Sequence, residues 1–415
     1  MREDLWRAVC IDDGQAPNQH TVTRIQINND SKKLTVVKVV EEGRVGGPQM
    51  DILRTSKALR SSDIDVIVVV PRADSDKFQG LLKVSGISNY TAKLTRPSRQ
   101  VRQLIRYLAH FVIEVNELGR LFRSVDPDLI HAGGGAWQIK AVLAARICRI
   151  PVIWHLNDTQ TPWPIRKSFQ LLKHIPIGFI CAGKCVQKYY FPKASQPNTV
   201  VIQSPIDCSE FSPRIAPEVP TEDLRDGDKP PLVVTVGNIG RVKGVEVFIS
   251  AINRVKTHRA VRAQVLGARL TGQEEYMGQI QHLIQNFRLD QTVQIFVPAN
   301  VAANLREATV YVCASWSEAS PTAVWEAMAT GLPVISTDVG DVSRFIKDGE
   351  TGFVVQPGAD NLIAEKIMWV LDNPHHAKEM GRRARTVALA NFHHVKVARL
   401  HESFYQELLK SPACS

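Results

Sequence analysis

Short apolar runs rich in β-branched residues recur along the chain, and most are followed by a loop and a helical stretch. LTVVKVV (34–40) and IDVIVVV (64–70) are too short for buried helices and are typical of strands in a parallel sheet. Between them, a glycine-bearing loop (41–47) leads to Pro48, which suits the first turn of a helix. This order predicts a βαβ unit.

The same order continues on both sides of a proline-rich segment. Residues 212–231 contain five prolines and several charges, which is typical of a linker. Further strands are predicted at 128–132, 151–155, 178–182, 200–205, 232–237, 263–267, 293–297, 309–314 and 333–337. The sequence therefore predicts two Rossmann-like, doubly wound α/β domains that face each other across a cleft, with a ligand at the carboxyl ends of the strands.

The predicted organisation has five parts. They are an N-terminal extension (1–32), a first domain (33–211), the linker (212–231), a second domain (232–390) and a C-terminal helix (391–415). The extension is polar and has no strong periodicity. The final helix has apolar residues at 397, 400, 404 and 408, so one face needs a surface to cover.

The segment SWSEASPTAVWEAMATGLPVISTDVG (315–340) is the most informative stretch of the chain. It follows a predicted strand, carries Glu318 in a turn and starts a helix near Pro321, which Ser320 or its neighbours can cap. The free N–H groups of a helix N-terminus near Ser320, Pro321 and Thr322 suit a diphosphate. Glu326, one turn into the helix, can accept hydrogen bonds from vicinal hydroxyls. The ordinary alternative is that Glu318 and Glu326 are surface carboxylates beside the start of a helix.

This segment resembles the signature of the family 4 retaining glycosyltransferases. Their pattern is a Glu, seven residues, a second Glu, then Ala-Met-Ala-x-Gly-Leu-Pro-Val; here Glu318 and Glu326 flank ASPTAVW and AMATGLPVI follows. The resemblance implies a GT-B-like fold, a donor-sugar contact for Glu318 and a ribose contact for Glu326. It also implies that the C-terminal helix crosses back to the first domain.

A second segment, VGNIGRVKGVEVFISAI (236–252), lies at the first strand–helix turn of the second domain. Its glycines allow close backbone approach, and Arg241 and Lys243 add positive charge that can neutralise a leaving pyrophosphate. It resembles the family's Gly-Arg-Leu…Lys-Gly phosphate clamp, with Asn238 at the usual Arg position. The resemblance assigns Lys243 to the donor phosphates, and Arg241 is a candidate replacement for the missing arginine.

The first domain offers weaker candidates. Gly46 and Gly47 follow the first strand, where a tight turn is the ordinary role and the resemblance implies an approach to the donor. His155 ends the strand PVIWH, and its position resembles that of the family's sugar-contacting histidine; a structural histidine is the alternative. Asn157 and Asp158 follow at once and could orient His155 or bind the acceptor.

Composition narrows the set of partners. The formal net charge of +10 favours an anionic partner, or simply keeps the protein soluble. No nucleic-acid-binding module is visible, so nucleic acid is not expected. The seven cysteines show no zinc-site spacing, so we expect reduced thiols. No apolar run reaches the length of a membrane-spanning helix, and the N-terminus is charged. Together these features indicate a cytoplasmic protein. We expect no metal and no cofactor, only a nucleotide sugar as donor substrate.

A predicted helix near 98–123 carries Arg99, Arg102 and Arg106 on one face. Its apolar stripe contains Val101, Leu104, Ile105, Leu108, Val112 and Val115. The favoured interpretation is a core-facing helix with a solvated basic side. The alternative is an interfacial helix that meets anionic lipid, with 163–179 as a second such segment.

The predicted function is transfer of a sugar from a nucleotide diphosphate sugar to the hydroxyl of a carbohydrate or lipid-linked acceptor, with retention. Glu318, His155 and Lys243 are the predicted catalytic residues. The expected pathway is polysaccharide, lipopolysaccharide or glycolipid synthesis. The expected location is the cytoplasm, with association at the inner face of the membrane as an alternative. The remaining alternatives are a catalytically silent sugar-nucleotide-binding protein and a sugar-nucleotide isomerase.

Overall fold

A computed structural model describes residues 33–96, 101–192, 198–214, 229–268 and 272–410, without the side chains of 101, 103 and 104. The predicted extension (1–32) and most of the predicted linker (215–228) lie outside these ranges. From Leu34 onward the chain forms one unit that contains two parallel sheets.

The first domain has seven parallel strands in the order β3-β2-β1-β4-β5-β6-β7. The strands are β1 (Leu34–Val39), β2 (Ile64–Pro71), β3 (Ser88–Ala92), β4 (Leu129–Gly133), β5 (Val152–Leu156), β6 (Gly178–Cys181) and β7 (Thr199–Val201). The helices are α1 (Gly47–Leu59), α2 (Asp76–Val84), α3 (Val101–Val125), α4 (Ile139–Cys148), α5 (Trp163–Leu172) and α6 (Lys184–Tyr190).

The second domain has six parallel strands in the order β10-β9-β8-β11-β12-β13. The strands are β8 (Leu232–Val236), β9 (Arg262–Leu266), β10 (Val293–Phe296), β11 (Val310–Cys313), β12 (Val334–Thr337) and β13 (Phe353–Val355). The helices are α7 (Val245–Lys256), α8 (Glu274–Asn286), α9 (Val301–Glu307), α10 (Thr322–Thr330), α11 (Val342–Phe345), α12 (Asp360–Asp372) and α13 (Pro374–Asn391).

In both sheets the strand order reverses beside the first strand of the domain. This is the 3-2-1-4-5-6 order of a doubly wound fold, in which ligands bind at the point of reversal. In the first domain the point lies between β1 and β4, and in the second between β8 and β11. The prediction of two Rossmann-like domains is confirmed, and the loops after these four strands are the ones that position a site.

Two adjacent chain crossings connect the domains. The backbone N–H of Ile206 donates to the carbonyl of Phe392 over 2.7 Å, and that of His394 donates to the carbonyl of Ile206 over 2.9 Å. Trp325 stacks on Phe392 with ring centroids 4.3 Å apart. Ile206 and Phe211 already pack in the core of the second domain, so the first crossing precedes the predicted boundary at residue 211.

The last helix, α14 (His394–Lys410), packs against the first domain. Val397, Phe404, Tyr405 and Leu408 join the apolar cluster beneath β1 and β2, beside α1. Helix α14 therefore returns to the first domain and covers part of the first sheet. Of the four predicted apolar positions, Val397, Phe404 and Leu408 are buried, whereas Leu400 is 44% exposed.

Helix α3 departs from the favoured interpretation. Ile105, Leu108 and Val112 are 62%, 63% and 67% exposed, whereas Tyr107 and Glu114 are buried. The predicted core stripe is wrong at Ile105, Leu108 and Val112 and correct at Val115, because the helix turns a face one position away toward the sheet. The side chains of Val101 and Leu104 lie outside those described. Arg99 lies outside the described residues.

Burial of Glu114 on that face is possible because Lys140 of α4 is its partner. The Lys140 Nζ donates to Glu114 Oε2 over 2.6 Å, and neither side chain is exposed. A buried charge of this kind requires such a partner. The apolar side chains that α3 does not bury remain on the surface.

Candidate active site

A cavity of about 620 Å³ lies between the two domains, at the carboxyl ends of the central strands. The first domain contributes the start of α1 and Asn157, and the second contributes the loops after β8 and β11 and the start of α10. The predicted site residues that line it are Gly47, Asn238, Lys243, Glu318, Ser320, Pro321, Thr322 and Glu326. Gly46 lines it as well.

Lys243 and Glu318 form an ion pair in the wall of this cavity. Lys243 ends a single 3₁₀ turn, Arg241–Lys243, and its Nζ donates to Glu318 Oε1 over 2.7 Å. The Ser315 hydroxyl donates to the same oxygen over 2.8 Å. Burial acts to lower the pKa of Lys243, but the Glu318 carboxylate outweighs it, so the pKa lies above its ordinary value. The ammonium group is therefore charged and held at the cavity wall.

The N-terminus of α10 also faces the cavity. The helix begins at Thr322, with Pro321 at the N-cap, and among the described residues no side chain caps it. Ser320, the expected cap, instead donates to Gln203 Oε1 over 3.1 Å and accepts from Trp325 Nε1 over 3.2 Å. Because the helix dipole is positive at this end, the terminus favours an anion in the cavity.

Glu326 is paired with a residue that the sequence analysis missed. Its Oε1 accepts a hydrogen bond from Arg54 Nη2 over 2.6 Å, and the two side chains are 11% and 7% exposed. Burial raises the pKa of Glu326 above its ordinary value, against the opposing effect of Arg54. No sequence signal marks Arg54, because its partner comes from the other domain.

Asp341, which follows β12, is a second contact between domains that the sequence analysis missed. Its carboxylate accepts from the backbone N–H groups of Lys184 and Cys185 over 2.8 and 3.1 Å, and from Gln203 Nε2 over 2.8 Å. It thereby satisfies free N–H groups at the start of α6 in the first domain. In the sequence, the position of Asp341 just after a predicted strand is the signal that could have indicated a place near the site.

The structure does not bring His155 to the cavity. Its ring is 5% exposed and lies behind the wall, where Nδ1 bonds to His131 Nε2 over 3.1 Å. Asn157, two residues later, lines the cavity instead. The alternation of side chains along a strand does not predict this difference in exposure to the cavity, because residues 155 and 157 fall on the same face. The structure thus places Asn157, rather than the predicted His155, at the cavity wall, and the sugar contact itself stays a prediction.

Arg241 also lies outside the cavity. Its guanidinium is 5.4 Å from the ring centroid of Tyr276 and 3.4 Å from Glu275 Oε1, in a separate concavity of about 520 Å³. The Arg241 side chain is 59% exposed. The 3₁₀ turn directs Lys243 toward the cavity and Arg241 away from it. Arg241 therefore does not take the place of the family's arginine, whose position Asn238 occupies here.

Two family models match the chain, one to each domain. The model described as Glycosyltransferase Family 4 matches residues 45–209, and the model described as Glycosyl transferases group 1 matches residues 221–387. The D-inositol 3-phosphate glycosyltransferase of an Arthrobacter species is 31% identical over 370 residues, which are 82% of this chain and 86% of that protein. This chain belongs to the family 4 glycosyltransferases.

Other matches are shorter or show the fold alone. Spore coat protein SA of Bacillus subtilis is 26% identical over 231 residues, 52% of this chain, and the chain spans 60% of that relative's length. The crystal structure of Anabaena HepE in complex with UDP-glucose superposes with a TM-score of 0.76 at 18% identity, over 90% of this chain and all of that one. The GT-B fold of this family 4 glycosyltransferase is thus shared with distant structures.

Proposed function

We propose that the protein transfers a sugar from a nucleotide diphosphate sugar to an acceptor hydroxyl, with retention at the anomeric carbon. The observation that carries the proposal is the cavity between the domains, where the Lys243–Glu318 pair lies beside the uncapped start of α10. One ammonium group and a positive helix end in one wall form an anion site next to a carboxylate.

Each residue has a role that its position supports. Lys243 and the positive end of the α10 dipole stabilise the negative charge that develops on the leaving diphosphate. Glu318 orients the donor sugar. Glu326 accepts hydrogen bonds from the ribose hydroxyls, because a carboxylate that receives one guanidinium N–H keeps further lone pairs free.

The family resemblance supports retention, because it implies substitution on the front face of the sugar. In this reaction the acceptor oxygen bonds to the anomeric carbon as the bond to the diphosphate breaks, and the departing phosphate takes the acceptor proton. Lys243 supports this step by holding the leaving group in place. Identifying the anomeric configuration of the product by NMR, against that of the donor, tests the assignment.

The acceptor side of the proposal rests on the outer helices of the first domain. Right-handed connections place α3, α4 and α5 on one side of the sheet, and we name this surface the α3–α5 face. Its exposed apolar side chains are Ile105, Leu108, Val112, Ile113, Ile147, Trp163 and Leu171. Its exposed basic side chains are Arg102, Arg106, Arg146, Arg149, Arg166 and Lys167.

This face suits the surface of an anionic membrane. Exposed apolar groups insert at the level of the headgroups, and each nearby Lys or Arg adds about 1 kcal/mol of attraction. No helix within the described residues is long and apolar enough to cross a membrane. We place the enzyme at the inner face of the membrane, acting on a lipid-linked or carbohydrate acceptor in polysaccharide, lipopolysaccharide or glycolipid synthesis.

A thermal-shift panel of UDP, GDP, ADP and their sugar conjugates tests the donor site. Ligand at about 100 times its dissociation constant adds about 2.7 kcal/mol of stability, so one nucleotide series should raise the melting temperature. Glu326→Gln should reduce that shift. Glu318→Gln should keep the shift but abolish sugar transfer; full activity in this variant would refute the role of Glu318. Binding without turnover of any donor would favour the silent sugar-nucleotide-binding protein, and an altered free sugar nucleotide would favour the isomerase.

Flotation with anionic liposomes tests the membrane surface. Binding should appear at low salt and weaken at high salt, because the basic side chains are screened. Leu108→Gln should reduce it, while Val84→Gln should not, since Val84 is 89% exposed at the end of α2, on the other side of the sheet. Absence of binding at low salt would exclude the membrane surface and leave the donor assignment intact.

A further inference from the structure

A layer of buried polar side chains lies beneath the cleft, between the first sheet and the helices α1 and α14. Lys38 of β1 and His131 of β4 are register partners, and His155 lies on the neighbouring strand β5. Asp51 comes from α1, and His401 from α14. His131, His155 and His401 are 2%, 5% and 1% exposed.

Most of the ring nitrogens in this layer have partners. His131 uses both, with Nδ1 bonded to the Tyr405 hydroxyl over 2.6 Å and Nε2 to His155 Nδ1 over 3.1 Å. His401 Nδ1 bonds to the carbonyl of Val397 over 2.9 Å. Within the described residues, Nε2 of His155 and Nε2 of His401 have no hydrogen-bond partner. Buried nitrogens without a partner are costly, so two in one layer require an explanation.

The two histidines meet a carboxylate. One ring nitrogen of His155, one of His401 and one carboxylate oxygen of Asp51 all lie within 4.8 Å of one another. Three ligands around a tetrahedral ion, each at ~2.1 Å, are separated by ~3.4 Å, so small side-chain rotations bring them to bonding distance. Asp51 also lines the active-site cavity, which provides a path of entry.

The tautomers agree with a metal site. A carbonyl can only accept, so Nδ1 of His401 carries the proton and donates it to Val397, and the neutral ring presents its lone pair at Nε2. For His155, the matching arrangement has Nδ1–H donating to His131 and His131 Nδ1–H donating to Tyr405. Metal-binding histidines are commonly oriented by such a bond from the other ring nitrogen.

We propose that Asp51, His155 and His401 bind a divalent first-row transition ion of the zinc type. Two imidazole nitrogens and one carboxylate oxygen are ligands that such ions prefer over Mg²⁺ or Ca²⁺. The ion links α14 to α1 and β5, and so fixes the returning helix on the first domain. The ligands are far apart in the sequence and have no motif spacing, which is why the sequence analysis expects no metal.

A substitution at Lys38 tests the proposal, because the direction of its effect on metal affinity can be predicted. Lys38 is 1% exposed, and its Nζ donates to Thr55 Oγ1 over 2.7 Å. Its charge acts on all three proposed ligands, Asp51, His155 and His401. A neighbouring cation opposes the binding of a second one. Lys38→Met should therefore bind the ion more tightly than the wild type, and weaker binding in this variant would contradict the site.

Cobalt titration of the full-length, chelator-treated protein decides the question. Co²⁺ should give ligand-field absorption at one equivalent, and Zn²⁺ should displace it. His401→Gln and the nearly isosteric Asp51→Asn should each lower the affinity at least ~10-fold, the effect expected when a ligand is lost. His282→Gln, an exposed histidine on α8, is the matched control and should bind as the wild type does.

Two further results would overturn the proposal. One is a wild-type protein with no ligand-field band at one equivalent of Co²⁺, in which case the layer is a hydrated polar network. The other is a band that survives unchanged in both His401→Gln and Asp51→Asn. Asp51→Asn decides alone if His401→Gln does not fold, because it preserves the shape of the side chain.

Discussion

Arg54 of the first domain and Glu326 of the second form a buried ion pair, with 2.6 Å between Nη2 and Oε1. The other terminal nitrogen of Arg54 donates to the carbonyl of Pro205 over 3.1 Å, at the chain crossing. The ring centroid of Phe211 lies 5.3 Å from the guanidinium carbon. The carboxylate that we assign to the ribose is therefore oriented by the opposite domain, and Arg54 is a positioning residue for Glu326.

Arg54→Met should destabilise the protein strongly. Removing one partner of a buried pair leaves an uncompensated charge, which typically costs about 3–5 kcal/mol. Urea unfolding followed by tryptophan fluorescence measures the loss. The double variant Arg54→Met/Glu326→Gln should recover part of it, since neither charge then remains. Equal losses in the single and double variants would show that the pair is not the source of the effect.

Lys243 and Arg241 provide a matched test of the donor site. They are two positions apart in one turn, but only Lys243 lines the cavity. A charge-assisted hydrogen bond contributes about 1.5–3 kcal/mol, so Lys243→Met should weaken nucleoside diphosphate binding roughly 10- to 150-fold. Arg241→Met should change it less than about threefold. Calorimetric titration with the best nucleotide of the thermal-shift panel measures both, and a large effect of Arg241→Met would return that residue to the site.

Gly244 determines the position of the Lys243 turn. Its φ is +60°, and a Cβ atom there would lie 2.0 Å from the carbonyl oxygen of Ala314. Gly349 has a similar φ of +74°, but nothing lies within 4 Å of its Cβ position. Gly349→Ala should cost only about 1–2 kcal/mol of backbone strain. Gly244→Ala should cost more and should also abolish nucleotide binding; equal melting temperatures for the two variants would exclude the steric argument.

The sequence predicted the central strands because they are apolar, β-branched and bounded by loops. It missed β3, where Ser88, Tyr90 and other positions are partly or fully exposed, and β13, which has three residues. Both are edge strands, β3 of the first sheet and β13 of the second. An edge strand has one neighbour to pair with and less surface to bury, so its composition can approach that of a loop. The other two edge strands, β7 and β10, kept enough β-branched and apolar residues to be predicted.

The site was predictable where it depends on the ends of central strands and unpredictable where it depends on contacts between domains. The Glu318–Glu326 segment and Lys243 follow β11 and β8, and the fold brings such loops together. Arg54 meets its partner only because the domains face each other. The error at α3 arises within the first domain, where Lys140 of the neighbouring helix α4 allows Glu114 to be buried.

Glu41, just after β1, should make stability depend on pH. It is 2% exposed, and within the described residues neither carboxylate oxygen has a hydrogen-bond partner. Burial raises its pKa to about 7; Lys140 and Arg96 oppose this shift, and Glu114 adds to it. Between the ordinary pKa of 4.5 and about 7, the folded protein holds a proton that the unfolded chain has lost.

The sign of the pH dependence follows from that proton. Because the folded state binds more protons in this window, Glu41 lowers the free energy of unfolding by up to about 1.4 kcal/mol per pH unit as the pH rises, and the effect levels off above pH 7. Glu41→Gln removes it. From pH 5 to pH 8, the stability of the variant should therefore rise by about 2–3 kcal/mol relative to the wild type.

Urea unfolding of both proteins across that range measures the difference, in which the titrating groups that do not interact with Glu41 cancel. Glu42→Gln is the matched control, because Glu42 is bonded to Arg44 and its pKa lies below the ordinary value despite partial burial. Its difference from the wild type should stay flat between pH 5 and 8, since a carboxyl with a lowered pKa is ionised in both states there. A flat difference for Glu41→Gln as well would mean that Lys140 keeps the Glu41 carboxylate ionised in the folded protein, and that the buried group is an ion pair rather than a neutral acid.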